Sequence, residues 1–226
     1  MRPEHERDVS FLTSLPGGSE RLQVFYADLS EPGDFDVAIK GCTGVFHVAT
    51  PLPRDFGNGE AEEVVIQGAA DGTLGILKAC LNSKTVKRVV YTSSASAIAL
   101  NDSGVEMMDE SYERCDQEQY ELLINTSMVH IDDVARAHIF LLEYPAAKGR
   151  YICSSDIITI EEMSKFLSAK YPEYSIPTLE YLKDVEGFKI PGVSSKKLLD
   201  SGFKFRYGLD EMFDGAIQCC KEKGFL

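Results

Sequence analysis

The densest run of reactive side chains is Val89-Val90-Tyr91-Thr92-Ser93-Ser94-Ala95, where apolar β-formers lead directly into three hydroxyls. A buried parallel strand delivers polar groups in this way to its C-terminal edge, the edge at which α/β sheets bind ligands. Hydroxyls there can orient a carbonyl or a cofactor, or they can simply satisfy backbone groups at a strand end. No Gly-x-Ser-x-Gly surrounds them, which argues against a hydrolase nucleophile. His130, Asp132, Asp133 and His138 are metal-ligand types, but the histidines lie eight apart with no third soft ligand. An Asp in that position more simply caps the helix that follows, so no metal site is expected. His47, within an apolar strand, reads as a core histidine.

Two further patterns imitate catalytic signatures. Tyr144-Pro145-Ala146-Ala147-Lys148 has a Tyr-x-x-x-Lys spacing, which on a helix places both side chains on one face. Pro145 and Gly149 instead mark a helix end. Gly68-Ala69-Ala70-Asp71-Gly72-Thr73-Leu74-Gly75 looks like a phosphate-binding glycine loop. Its spacing is wrong and it falls inside a long helical pattern, so small residues packing a helix against a sheet explain it better.

The elements that must position these groups alternate. Residues 22–26 read as a short strand ending at Asp28, a brief helix is expected near residues 34–40, and residues 43–49 form a second strand pattern. Pro51, Pro53, Gly57 and Gly59 make a loop. Residues 60–81 carry helical spacing through Val65, Ala69, Thr73, Ile76, Leu77 and Cys80, and residues 86–92 are the next strand. This succession is an α/β parallel-sheet signature. Further on, a short helix is expected at 116–124 and another from about Asp132 to Glu143, capped by Asp132 or Asp133. Thr159 with Glu162 forms a capping box for a third, ending near Tyr171. Ser194 opens a short helix stopped by Gly202, and residues 209–223 form the last, closed by Gly224.

The 226 residues are 44% hydrophobic and 26% charged, with net charge −13, a soluble, globular balance. Such a charge disfavours broad association with nucleic acid or an anionic membrane. No signal-like or membrane-spanning apolar run is present, so the cytosol is the expected compartment. The six cysteines have no zinc spacing and read mostly as small buried hydrophobes in a reducing environment.

The strand end at Thr92-Ser93-Ser94, together with Gly44-Val45-Phe46-His47-Val48-Ala49-Thr50-Pro51, resembles the extended short-chain dehydrogenase/reductases. Within these, it is similar to the plant dihydroflavonol, anthocyanidin and vestitone reductase group. The closing Ile217-Gln218-Cys219-Cys220-Lys221-Glu222-Lys223-Gly224 is also similar to that group. The resemblance implies an incomplete Rossmann-type, doubly wound parallel sheet over residues 1–115. A smaller α+β portion on the substrate side would occupy 116–226. It implies NADP(H) as cofactor and a flavonoid-type ketone as substrate. Ser94 would orient the substrate carbonyl and Ser93 would lie nearer the cofactor. Asp28 would reach the adenine amino group, while Ala49 and Thr50 let the cofactor backbone pass closely. Arg2, with Arg7 assisting, would face the 2′-phosphate through charge-assisted hydrogen bonds.

Two blocks of the family pattern have no counterpart. One is the glycine-rich turn expected ahead of Arg2. The other is the helix bearing the catalytic Tyr-x-x-x-Lys, expected between Asp109-Glu110-Ser111 and Met128-Val129-His130, with the join near Arg114-Cys115-Asp116. Losing positioned acid–base catalysis costs about 10²- to 10⁴-fold, and losing the loop weakens the grip on pyrophosphate. The expectation is therefore an oxidoreductase by descent, impaired in turnover and cofactor binding. Its strands at 22–26 and 43–49 would lack neighbours and expose an edge prone to association. The rival readings are a non-catalytic partner of full-length relatives and a nucleotide-sugar epimerase or dehydratase relative.

Overall fold

The computed structural model describes residues 9–31, 33–49, 62–95, 107–111, 125–182 and 191–226. The expectations for Arg2, Arg7, Thr50, the loop at 51–59, the helix at 116–124 and the join near Cys115 fall outside these residues. The chain forms two compact units, Met1–Arg88 and Val89–Leu226.

In the first unit two short helices, α1 (Ser10–Thr13) and α2 (Gly18–Arg21), precede an extended segment. Then come α3 (Asp36–Ile39), β1 (Gly44–His47) and the long α4 (Glu62–Ser83). α3, β1 and α4 fall where the periodicity places them. Ile39 from α3 and Ile76, Ala79 and Cys80 from α4 are buried, with His47 at the end of β1. Thr85 Oγ1 donates to the Cys42 carbonyl at 2.8 Å and Lys87 N–H donates to the Thr43 carbonyl at 2.8 Å. These two bonds bring the chain leaving α4 back to the start of β1.

The strand expected at 22–26 does not form: these residues are irregular and exposed. Five residues hold strand geometry only when a neighbour completes the ladder, and among the described residues none does so. The glycines of α4 also depart from expectation. A Cβ on Gly72 would meet the Leu29 side chain and carbonyl at 3.2 Å, whereas Gly68 and Gly75 face open space. Gly72 thus admits the turn at Leu29, and the other two have no packing role.

The second unit opens with β2 (Arg88–Tyr91, its first residue closing the first unit) and β3 (Met107–Met108). β4 (Asn125–Met128), α5 (Ile131–Glu143), β5 (Asp156–Thr159) and α6 (Ile160–Lys170) follow. The unit ends with α7 (Leu179–Leu182), β6 (Gly192–Val193), α8 (Lys196–Asp200) and α9 (Leu209–Glu222). β3 pairs parallel with β6, and β4 pairs antiparallel with β5 in the register Asn125 to Thr159. The capping box of α6 is complete: Thr159 Oγ1 accepts the Glu162 N–H at 3.1 Å and Glu162 Oε2 accepts the Thr159 N–H at 2.9 Å. At α9, Glu211 accepts the Gly208 N–H at 2.9 Å.

The cap of α5 differs from expectation. His130 is the N-cap, its Nδ1 accepting the Asp132 N–H at 3.1 Å while its ring stacks on Tyr207 at 4.2 Å. Asp133 instead turns inward and is fully buried. One carboxylate oxygen takes the Arg136 guanidinium, and the other accepts the N–H groups of Arg206 at 2.9 Å and Tyr207 at 3.1 Å. That anchor draws residues 203–207 onto α5, where Phe203 joins Ala137 and Leu198 in the core, with Phe140, Leu141 and Phe205 around them.

The cysteines are less uniformly buried than expected. Cys80 is buried, Cys42, Cys153 and Cys220 are partly so, and Cys219 is exposed; all five are free thiols. Burial, aided by the negative charge of Asp133, pushes the Cys153 thiol up to about 11, so it is protonated and inert at neutral pH.

Removing the Asp133 carboxylate strips two backbone donors and a guanidinium of their acceptor inside the core. Asp133→Ala is expected to cost about 3–5 kcal/mol, read as an earlier urea midpoint with an unchanged slope. A loss below about 1 kcal/mol would show that the anchor is dispensable.

Candidate active site

β2 ends at Tyr91, and Thr92, Ser93 and Ser94 continue as irregular backbone with both serines exposed. Thr92 is tied to a helix on the other side of the strand end. Its Oγ1 lies 2.6 Å from His138 Nε2, and His138 Nδ1 lies 2.8 Å from the Val134 carbonyl. A carbonyl only accepts, so Nδ1 carries a hydrogen and Nε2 faces the Thr92 hydroxyl. The helix therefore holds the strand end through an oriented imidazole. No local signal points to this pair, which spans 46 residues.

The structure brings His138 into contact with Thr92. Among the described residues no three His, Cys, Asp or Glu side chains are grouped to hold a metal ion. His130 and Asp133 serve the helix cap and the core anchor described above.

Asp28 and Ala49 belong to the first unit. Ala49 is exposed two residues beyond β1. Asp28 is a turn residue: its Oδ1 accepts the Ser30 N–H at 2.9 Å and the Ser30 hydroxyl at 2.7 Å, while its own N–H donates to Asp34 at 3.0 Å. A ligand amino group would have to share or displace these bonds. His47 is buried, with Nε2 3.4 Å from the Thr73 hydroxyl, which itself donates to the Ala69 carbonyl at 2.9 Å. This is a packed histidine, as its apolar strand suggests.

The Tyr144–Lys148 spacing carries no catalytic geometry. Tyr144 is the C-cap of α5 in extended conformation, the chain turns at Pro145, and Gly149 has φ of 70°. The Lys148 N–H donates to the Tyr151 hydroxyl at 3.3 Å. Tyrosine and lysine therefore do not share a helix face. Likewise, the glycine run at 68–75 lies within α4, so it offers no strand-to-helix turn to a phosphate.

The hydroxyls thus stand at a strand end beside a helix-borne histidine, in a chain of alternating strands and helices. The chain belongs to the 3-beta hydroxysteroid dehydrogenase/isomerase family, whose profile matches residues 7–129. Within these oxidoreductases it falls with the vestitone and dihydroflavonol reductases. It is 43% identical to vestitone reductase of Medicago sativa over 293 residues, covering 99% of this chain and 88% of that protein. It is 37% identical to dihydroflavonol 4-reductase of Arabidopsis thaliana, covering 99% and 75%. The crystal structure of the alfalfa vestitone reductase superposes with a TM-score of 0.85 at 41% identity, over 98% of this chain and 89% of that one. Yeast Gre2, solved with NADPH, shares the fold at 20% identity and a TM-score of 0.65, over 87% of this chain and 82% of that one.

The alfalfa alignment runs over 293 residues and this chain has 226, so at least 67 positions of the relative have no residue opposite them here. No helix among the described residues is long and apolar enough to cross a membrane.

Burial lowers the pKa of His47 below its ordinary 6.5. The unfolded chain then binds a proton that the native state resists, so stability present above about pH 6.5 falls as pH drops below it. The melting temperature is expected to decline between pH 7 and about 5.5 more steeply than that of His47→Phe, which cannot titrate. Parallel declines would remove His47 from the account.

Proposed function

We propose that this chain descends from NADP-dependent reductases of flavonoid-type ketones and, in its present sequence, binds the cofactor weakly and turns over little or nothing. The observation that carries the descent is the 43% identity to vestitone reductase along 99% of the chain. The exposed Ser93 and Ser94 at the end of β2 agree with it.

When bound, the dinucleotide supplies hydride to a carbonyl carbon. The exposed carboxylate of Asp28 and the small, exposed Ala49 and Ser93 fit its edge contacts. Asp28 would accept from the adenine amino group, Ala49 and Thr50 would leave room for the backbone, and Arg2 would pair with a 2′-phosphate. Ser94 would donate to the substrate carbonyl oxygen and hold it in place. None of these residues delivers a proton to the developing alkoxide.

The impairment reading rests on two facts. At least 67 of the relative's positions lack a counterpart, and the Tyr-x-x-x-Lys spacing at Tyr144 and Lys148 sits at a helix end. We place the shortfall between Ser111 and Met128, where the family's proton-donating helix belongs. A tyrosine with an ordinary pKa near ~10 needs such a helix and its lysine to act at neutral pH.

The test is direct. Homogeneous protein is incubated with NADPH and a flavonoid-type ketone, and the loss of nicotinamide absorbance is followed beside alfalfa vestitone reductase. The expected rate is lower by at least about 10²-fold, with NADPH binding weaker than in the relative. Turnover matching the relative would overturn the impairment, and an absence of any NADPH binding at millimolar concentration would overturn the cofactor assignment.

A further inference from the structure

Beyond Tyr91 the chain leaves β2, and Thr92, Ser93 and Ser94 run on without strand geometry, the two serines exposed. A ladder therefore does not set the direction of these hydroxyls. Thr92 offers a different hold. Its Oγ1 is 2.6 Å from His138 Nε2 in a half-buried contact that spans 46 residues of chain. The ring is itself fixed, because Nδ1 donates to the Val134 carbonyl 2.8 Å away, one turn back on α5. α5 in turn is pinned through Asp133, whose buried carboxylate holds Arg136 and the N–H groups of Arg206 and Tyr207. The imidazole is thus a strut, with one nitrogen standing on the helix and the other on the strand end.

We propose that His138 is the positioning residue for the hydroxyl run, fixing Thr92 so that Ser93 and Ser94 are presented in one conformation. Threonine makes such a hold effective. Its branched Cβ leaves few χ1 wells, so pinning Oγ1 fixes the Cα–Cβ direction and with it the backbone that carries the two serines. Histidine suits the other end, since a planar ring keeps its two nitrogens at a fixed separation. A longer, flexible side chain would lose more rotamer freedom in making the same bridge. His138 touches no ligand in this role; it acts through Thr92. What the serines address, a dinucleotide and a carbonyl, rests on the function proposed above, whereas the strut itself does not.

Three substitutions separate a strut from simple packing. His138→Phe keeps a ring of similar size without its nitrogens. His138→Gln places amide atoms as many bonds from Cα as Nε2, so it still meets Thr92. Thr92→Val keeps the branched shape and removes the hydroxyl. It lies outside α5 at a half-buried position, so it tests the strut even where a substitution within the helix disturbs the fold.

Backbone order parameters of Ser93 and Ser94 are measured on the full chain by 15N relaxation. They are expected near ~0.85 in the parent and in His138→Gln, and to fall toward ~0.6 in His138→Phe and Thr92→Val. NADPH affinity is expected to weaken about 3- to 10-fold in the same two variants, the share of one hydrogen bond, and to change less than about 2-fold in His138→Gln. A strand end mobile in the parent, unchanged order in both His138→Phe and Thr92→Val, or a glutamine variant as mobile as the phenylalanine one would overturn the proposal. So would unchanged affinity once the strand end is mobile. A parent that binds no NADPH at millimolar concentration removes the cofactor assignment instead, and the order parameters alone then decide the strut.

Discussion

A carboxylate with no access to water must be given donors, and Asp133 shows what meeting that demand organises. Its partners are the Arg136 guanidinium on the same helix and two backbone N–H groups from Arg206 and Tyr207. Leaving any of them unpaired would cost on the order of 1–3 kcal/mol, so the segment at 203–207 is held against α5. Phe203 then completes the cluster with Ala137 and Leu198. The same helix carries His138, whose ring reaches Thr92 at the end of β2. One helix thus carries both the buried ion pair and the imidazole that meets Thr92.

What could be read from the chain was whatever a short window encodes. α4 follows from apolar residues at helical spacing, and α6 from Thr159 with Glu162, whose reciprocal bonds need nothing beyond four residues. β3, β4, β5 and β6 escaped because each is two to four residues long and exists only through its pairing. Asn125 meets Thr159, and Met107 meets Gly192; neither partnership leaves a local trace. The reverse error came at 22–26, where strand-forming side chains are present but no neighbour is. β propensity describes fit to a half-buried pleated surface, and without that surface it forms nothing.

The site was legible to a similar depth. Residue types located the hydroxyls at the end of β2 and set aside both the Tyr144–Lys148 spacing and the glycines of α4. They could not say that Thr92 would bond to His138; Ser93 and Ser94 are exposed. The acidic pair opening α5 was equally opaque. Asp132 and Asp133 both look like caps, yet His130 takes that task and Asp133 faces inward. An Asx turn at Asp28 explains its position without any ligand.

The alfalfa structure shows how much loss a fold tolerates. At least 67 positions of that relative lack a counterpart here, yet 98% of this chain superposes on it with a TM-score of 0.85. Folding information is spread over capped helices, a buried anchor and several small clusters, each specifying its own neighbourhood. Proton delivery in a reductase has no such redundancy, because an acid and the group that tunes it must meet at one reacting oxygen. On the function proposed above, the chain keeps the strand ends for a cofactor and a carbonyl while lacking the group that completes the reaction.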